Sequence, residues 1–205
     1  MEDDSPRSLR LNEVIARRQR MLREPHIAPL TDFVDRLRQK YKDWEFPDFD
    51  PLDSGIEADT LLLFEKPGRK TSAKGGGSGF ISRNNNDATA EATFNFLNEA
   101  GLSRKRTVIW NTIPGWNGTR KITPDELRAG INDLSELISL LPKLRTVILV
   151  GKKAQKAGPL IKRNNSALQL IESAHSSPIV RATSPDVWQS IPRIWARASI
   201  SKKIL

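Results

Sequence analysis

The sequence predicts an α/β protein: three αβα layers around a central, mainly parallel four-stranded sheet, with an N-terminal helical arm ahead of it. Three observations lead there. Short apolar runs at 61–64, 107–110, 146–150 and 168–171 read as strands. Helical patterns of about ten residues or more separate them, the spacing of βαβ units whose parallel sheet is covered on both faces. Ahead of the first run, Leu11, Val14, Ile15, Arg18 and Leu22 fall at helical spacing, and a second amphipathic stretch follows.

Taken in order, the first helix carries four arginines between Arg17 and Arg23 and stops at Pro25. The second is expected to start at the cap Thr31, with Phe33, Val34, Leu37 and Tyr41 on one face. The turn-rich stretch 46–55 leads into the first strand. Residues 69–78 read as the most flexible part, with Arg69, Lys70, Lys74 and the run Gly75-Gly76-Gly77. Ala90, Phe94 and Leu97 mark a helix that Gly101 closes before the second strand. Thr123 and Glu126 form a capping box, Pro124 takes the first helical position, and Leu127, Ile131, Leu134 and Ile138 form the stripe. The strand 146–150 follows, then Gly151 and a short basic helix with Lys152, Lys153, Lys156 and Lys162. After the strand 168–171, Ser184-Pro185 opens a last helix with Trp188, Ile191 and Trp195. There is no internal repeat.

Composition narrows the function. The 205 residues suit one domain with a good core. Residues 1–48 are expected to form a helical arm packed on an α/β domain spanning 49–205. A hydrophobic share of 38%, clustered into runs, places the chain above the disordered range. The net charge of +9 favours a polyanionic partner such as nucleic acid, against the plainer reading of a solvated basic surface. With no cysteine, disulfides, thiolate zinc sites, iron–sulfur clusters and cysteine nucleophiles are excluded. No apolar segment is long enough to span a bilayer, and the acidic start at residues 1–4 does not read as a signal peptide. The expectation is a soluble intracellular protein.

Three of the strand-like runs end in clusters of polar, Gly and Pro residues: Glu65-Lys66-Pro67-Gly68, Asn111-Thr112-Ile113-Pro114-Gly115, and His175-Ser176-Ser177-Pro178. Ligands of open parallel sheets bind beyond the carboxyl ends of the strands. If the runs are neighbours, Glu65, Asn111 and His175 converge although about 110 residues separate the first from the last. Of the two histidines, His26 sits in a loop between the N-terminal helices and reads as structural, whereas His175 follows a strand and precedes a tight turn. No His/Asp/Glu cluster has metal-ligand spacing. The glycines at 75–79 do not match a phosphate-binding P-loop, because no Gly-Lys-Ser/Thr follows at the start of a helix. A serine nucleophile elbow is likewise absent.

Read together, these clusters resemble the uracil-DNA glycosylase superfamily. Phe64-Glu65-Lys66-Pro67-Gly68 is similar to its first motif, Gly-Glu-Ala-Pro-Gly or Gly-Gln-Asp-Pro-Tyr. His175-Ser176-Ser177-Pro178 resembles its closing His-Pro-Ser-Pro. Gly79-Phe80-Ile81-Ser82-Arg83-Asn84-Asn85 is similar to the segment with the base-stacking aromatic residue, and Trp110-Asn111-Thr112-Ile113-Pro114 stands where the family places its base-reading asparagine. The likeness runs from about Phe49 to Arg197. Residues 22–30 and Phe49-Asp50-Pro51 are additionally similar to a bacterial branch with an N-terminal helical arm and no iron–sulfur cluster.

The resemblance implies hydrolysis of the N-glycosidic bond of uracil, or of a related deaminated base, in DNA after base flipping. It implies Glu65, Lys66 and His175 as catalytic residues, and Phe80 and Asn111 as base-binding ones. Gly68, Arg69, Lys70, Lys74, Ser82, Ser176 and Ser177 would hold the DNA backbone. No metal and no cofactor are implied. The expected partner is uracil-containing DNA, single- or double-stranded, bound by a monomer. The expected place is the cytoplasm, at the nucleoid in a bacterium. Two departures bear on chemistry: Lys66 stands where some members have a water-activating Asp, and Ser176 where proline is usual. Lys66 favours the alternative of a weak or inactive glycosylase-fold protein that binds nucleic acid. A third reading is an enzyme holding a small phosphorylated ligand at the 75–79 loop.

Overall fold

The computed structural model describes residues 2–199; Met1 and residues 200–205, the outer ends of the expected arm and domain spans, lie outside them. Two helices come first, α1 (Asn12–Met21) and α2 (Ala28–Lys40). Then come β1 (Asp48–Phe49), β2 (Thr60–Phe64), β3 (Phe80–Ile81), α3 (Ala88–Glu99), β4 (Thr107–Asn111) and α4 (Pro124–Ser139). The chain continues through β5 (Thr146–Val150), α5 (Lys152–Gln155), α6 (Gly158–Asn164), β6 (Gln169–Ser173), α7 (Pro178–Thr183) and α8 (Pro185–Trp195).

The sheet order is β4-β2-β5-β6, and every pairing is parallel. Leu61 stands opposite Val108 on one side and Val147 on the other, so β2 is an inner strand, as is β5. All five residues of β2, β4 and β5 are buried, as parallel strands covered on both faces require. Helices flank the sheet: α3 packs with α8, Phe96 meeting Trp188 at 4.6 Å, and α4 packs with α6. A second, two-stranded parallel pair joins β1 to β3, and from it Phe49 stacks on Trp110 of β4 at 3.8 Å.

Local rules explain most boundaries. Thr123 and Glu126 close the capping box at the start of α4. Gly101 ends α3 with φ +67. Thr31, expected to cap α2, lies inside it instead: the helix begins at Ala28 with Pro29 in its first turn. The Thr31 hydroxyl donates to Leu22 O at 2.9 Å, tying α2 back to the end of α1. In α3 the buried face runs through Ala90, Thr93, Phe96 and Leu97, so Phe96 is its buried aromatic and Phe94 is only half-buried.

The two arm helices attach differently. Leu30, Phe33, Val34 and Leu37 of α2 belong to the main core, whereas Val14 of α1 joins Leu9 and Phe80 in a separate small cluster. Beside that cluster Arg18, 1% exposed, pairs with the fully buried Asp50. Asp50 also accepts from the Ser82 hydroxyl and from Arg104, 3.1 Å away. Asn84 Oδ1 accepts from Arg18 at 2.9 Å and from Arg104 at 2.6 Å, and Arg83 donates to Asp53 at 3.1 Å. Burial pushes the Asp50 carboxyl up, but Arg104, Arg18 and the Ser82 hydroxyl outweigh it and hold the group at about 2.

Candidate active site

Parallel pairing brings the carboxyl ends of β2, β4 and β6 to one edge, and it continues past the strands. Thr112 N donates to Phe64 O at 2.7 Å and Ile113 N to Glu65 O at 2.9 Å. Phe64 and Asn111 stand opposite each other in register, so their side chains share a face of the sheet. From β6, His175 reaches across the end of β5 and sets its ring edge-on to Phe64, centroids 5.5 Å apart at 83°. Asn111 is 5% exposed, and its carboxamide hydrogen-bonds no group among the described residues. The Nδ1 of His175 is buried and also unpartnered among them. Two polar side chains unpaired among the described residues, one from the strand beside Phe64 and one edge-on to its ring, are what a ligand with hydrogen-bonding edges would complete.

Charge at the site is arranged by β5. Gly151 has φ +96, and a Cβ there would lie 2.6 Å from Glu65 Oε1, so only glycine leaves room for the carboxylate. The same oxygen accepts from Lys153 N at 2.9 Å, at the start of α5. Burial lowers the pKa of His175 below 6.5, while Glu65 and Asp87 pull it upward. The imidazole is therefore neutral at neutral pH. Ser173 braces the end of β6, its hydroxyl accepting from Trp195 Nε1 at 2.8 Å and its carbonyl from Gln155 at 3.1 Å.

The other residues singled out in the sequence fall in different places. The Lys66 ammonium turns toward α4: it donates to Asn117 Oδ1 and Lys121 O, both at 2.9 Å, pairs with Glu126 at 3.3 Å and sits 5.2 Å from the Trp44 ring. Burial raises the Glu126 carboxyl, but the Thr123 amide and Lys66 hold it below its ordinary range. Phe80, 1% exposed, packs with Leu9 and Val14 of the arm. Ser82 lies in the ionic cluster around Asp50. Ser176 is fully buried with its hydroxyl 2.9 Å from that of Thr93, and Ser177 caps α7 through Val180 N. Arg69, Lys70 and Lys74 are exposed on the loop after Gly68. Among the described residues no group of three His, Asp or Glu side chains is placed to hold a metal, and no helix is long and apolar enough to cross a membrane.

Sequence reasoning missed Phe64 as the aromatic beside Asn111 and His175, and it missed the ionic cluster. A signal for the cluster was present: Arg18 lies on the apolar stripe of its own helix. A buried arginine on such a face needs a carboxylate partner.

The uracil DNA glycosylase superfamily model matches residues 55–198. The chain belongs to that superfamily. Among curated proteins nothing matches. Solved structures are similar as well, among them the following two. The solution NMR structure of a candidate uracil DNA glycosylase from Methanosarcina acetivorans is 18% identical with a TM-score of 0.46, covering 70% of this chain and 92% of that one. The crystal structure of wild-type Pedobacter heparinus SMUG2 is 13% identical with a TM-score of 0.49, covering 86% of this chain and 84% of that one. In this superfamily member the Glu65, Asn111 and His175 motifs all lie within the matched span.

Proposed function

We propose that this superfamily member excises uracil or a related deaminated base from DNA, leaving an abasic site. The observation that carries the reading is the pair of unpartnered polar side chains, Asn111 and His175, beside Phe64. A carboxamide donates through its NH2 and accepts through its oxygen, which matches the alternating carbonyl and N–H of uracil and mismatches the amino edge of cytosine. A flipped base between them would lie against Phe64, which stands opposite Asn111 in register and edge-on to His175.

The chemistry follows from charge. As the N-glycosidic bond breaks, its electron pair leaves with the base, which becomes an anion, and the sugar gains positive character. A neutral His175 donates an N–H hydrogen bond to the base oxygen and stabilises the anion without having to lose a proton. The Glu65 carboxylate, fixed by the Lys153 amide, faces the developing positive charge and the attacking water. Water adds its oxygen to the sugar carbon, and its proton balances the charge of the departing base. With its ammonium committed to Glu126 and Asn117, Lys66 supports the turn rather than the chemistry. Arg69, Lys70 and Lys74 supply phosphate contacts.

Release of uracil from single- and double-stranded oligonucleotides tests this directly. Asn111→Ala and His175→Ala each lower the release rate by roughly 10²–10³-fold while the unfolding transition stays near wild type. Absence of release from either strand form, across uracil and other deaminated bases, overturns the reading.

A further inference from the structure

The glycine run at 75–77 has no part in the chemistry above, and its amides are already occupied. Lys74 N donates to Glu45 Oε2 (3.2 Å), Gly75 N to Ser72 Oγ (2.9 Å), Gly76 N to Ala73 O (3.1 Å), Gly77 N to Ser72 O (2.7 Å) and Ser78 N to Lys70 O (3.0 Å). A phosphate cradle needs such N–H groups pointing at the ligand. Here they face inward, and the glycines serve compactness instead. A Cβ on Gly77 would lie 2.4 Å from Lys70 O, and Gly76 has φ +74. The loop curls on itself and leaves Arg69, Lys70 and Lys74 on the outside.

Glu45, outside the loop, holds this curl. Its Oε2 accepts from the Ser72 hydroxyl at 2.9 Å as well as from Lys74 N, and that hydroxyl in turn accepts from Gly75 N. The Glu45 backbone pairs both ways with Trp116, at 2.9 and 2.7 Å. Next to it, a Cβ on Gly115 would meet Trp44 and Phe46 at 2.8 Å, so the two segments are in close contact. Trp116 belongs to the stretch that follows Asn111. Glu45 thus joins the basic loop to the segment that carries the base reader.

We propose that Glu45 is a positioning residue that fixes the 69–79 loop so that Arg69, Lys70 and Lys74 meet the DNA backbone as a rigid array, in register with Asn111. The proposal rests on the glycosylase reading above. A loop ordered in advance loses less conformational freedom on binding, so its phosphate contacts count more fully.

The sign of one substitution separates this role from plain electrostatics. Removing a carboxylate beside three cations should tighten DNA binding if charge alone matters. Positioning gives the opposite result: Glu45→Ala raises Kd and KM roughly tenfold with kcat near wild type. Glu45→Gln keeps an acceptor oxygen without the charge and binds at least as tightly as wild type. The probe is a labelled duplex with one uracil, titrated at fixed salt, and hydrogen exchange on the full chain reads the loop itself. Amides 74–77 exchange faster in Glu45→Ala and stay slow in Glu45→Gln. Unchanged or tighter binding by Glu45→Ala, or unchanged protection of those amides, overturns the role. Wild-type protein that binds no DNA overturns the glycosylase reading and the loop's DNA function together, and hydrogen exchange still decides separately whether Glu45 braces the loop.

Discussion

Strands β2, β4 and β5 and the seam under α1 are both buried and are held by opposite means. In β2, β4 and β5 the contacts are Leu61, Leu62, Leu63, Val108, Ile109, Val147 and Ile148, all at most 4% exposed and none with a polar atom in its side chain. Under α1 the contacts are Arg18, Asp50, Ser82, Arg83, Asn84 and Arg104, with a small apolar patch of Leu9, Val14 and Phe80 flanked by half-buried Ile15 and Leu22. Hydrophobic burial is non-directional and tolerates exchange of one apolar side chain for another of similar volume. A buried ion pair tolerates little, because loss of one partner strands the other's charge in a medium that cannot solvate it. Helix α1 is therefore attached by the more specific and more fragile of the two arrangements, whereas α2 shares the apolar core.

Near-isosteric substitutions give the largest contrast. Asp50→Asn leaves Arg18 and Arg104 without their shared countercharge and costs about 3–5 kcal/mol in urea unfolding. Leu62→Met, at the centre of the sheet, costs less than about 1.5 kcal/mol. Equal costs would show that the seam is held by shape rather than by charge.

Acid sharpens the same comparison with a smaller effect. The Asp50 carboxyl is held at about 2 against an ordinary 3.8, so its contribution is complete above pH 3.8 and is lost as pH falls toward 2. Asp53 behaves oppositely: burial raises its pKa above 3.8 despite Arg83 and Arg104, so it takes up its proton first and thereby relieves a desolvation cost. Pepsin cleavage within residues 5–25 is expected to accelerate only below pH 3.8, while amides of β2 and β5 stay protected. Acceleration beginning well above 3.8 would show that Asp50 does not control the seam, and protonation of Asp53, which favours the fold, would not account for it.

The smallest effect lies at the site, where one buried titratable group meets one carboxylate. With only two histidines in the chain, the His175 ring is readily resolved by NMR. It should titrate below 6.5, and Glu65→Gln should move it lower still, since Glu65 favours the charged imidazolium. An upward movement would mean that Glu65 does not face the imidazole.

Much of this was legible in the residues. The four strands, the capping box at Thr123 and the convergence of Glu65, Asn111 and His175 follow from apolar runs, cap chemistry and strand-end position, all set by neighbours in the chain. Phe80 shows where such reading stops. Its motif suited a base-stacking role, yet the ring packs with Leu9 and Val14, partners about 70 residues away that no local pattern announces. Lys66 is similar: its charge is visible in the sequence, but its direction depends on Asn117, Glu126 and Trp44. The glycines at 75–77 looked like flexibility because Glu45, which holds their loop through the Ser72 hydroxyl and the Lys74 amide, lies some thirty residues earlier.

By itself the sequence determined the fold class, the parallel sheet and the three strand ends that meet, because these rest on periodicity and on residue types with fixed local preferences, while the superfamily was suggested by the resemblance of its strand-end motifs. Only the tertiary structure decided that Phe64 accompanies Asn111 and His175, that Lys66 turns aside, that Ser82 and Ser176 are buried, and that Glu45 holds the basic loop. Those outcomes depend on which distant group reaches a polar atom first. Burial then makes the choice binding, since a polar atom cut off from water must keep the partner it finds.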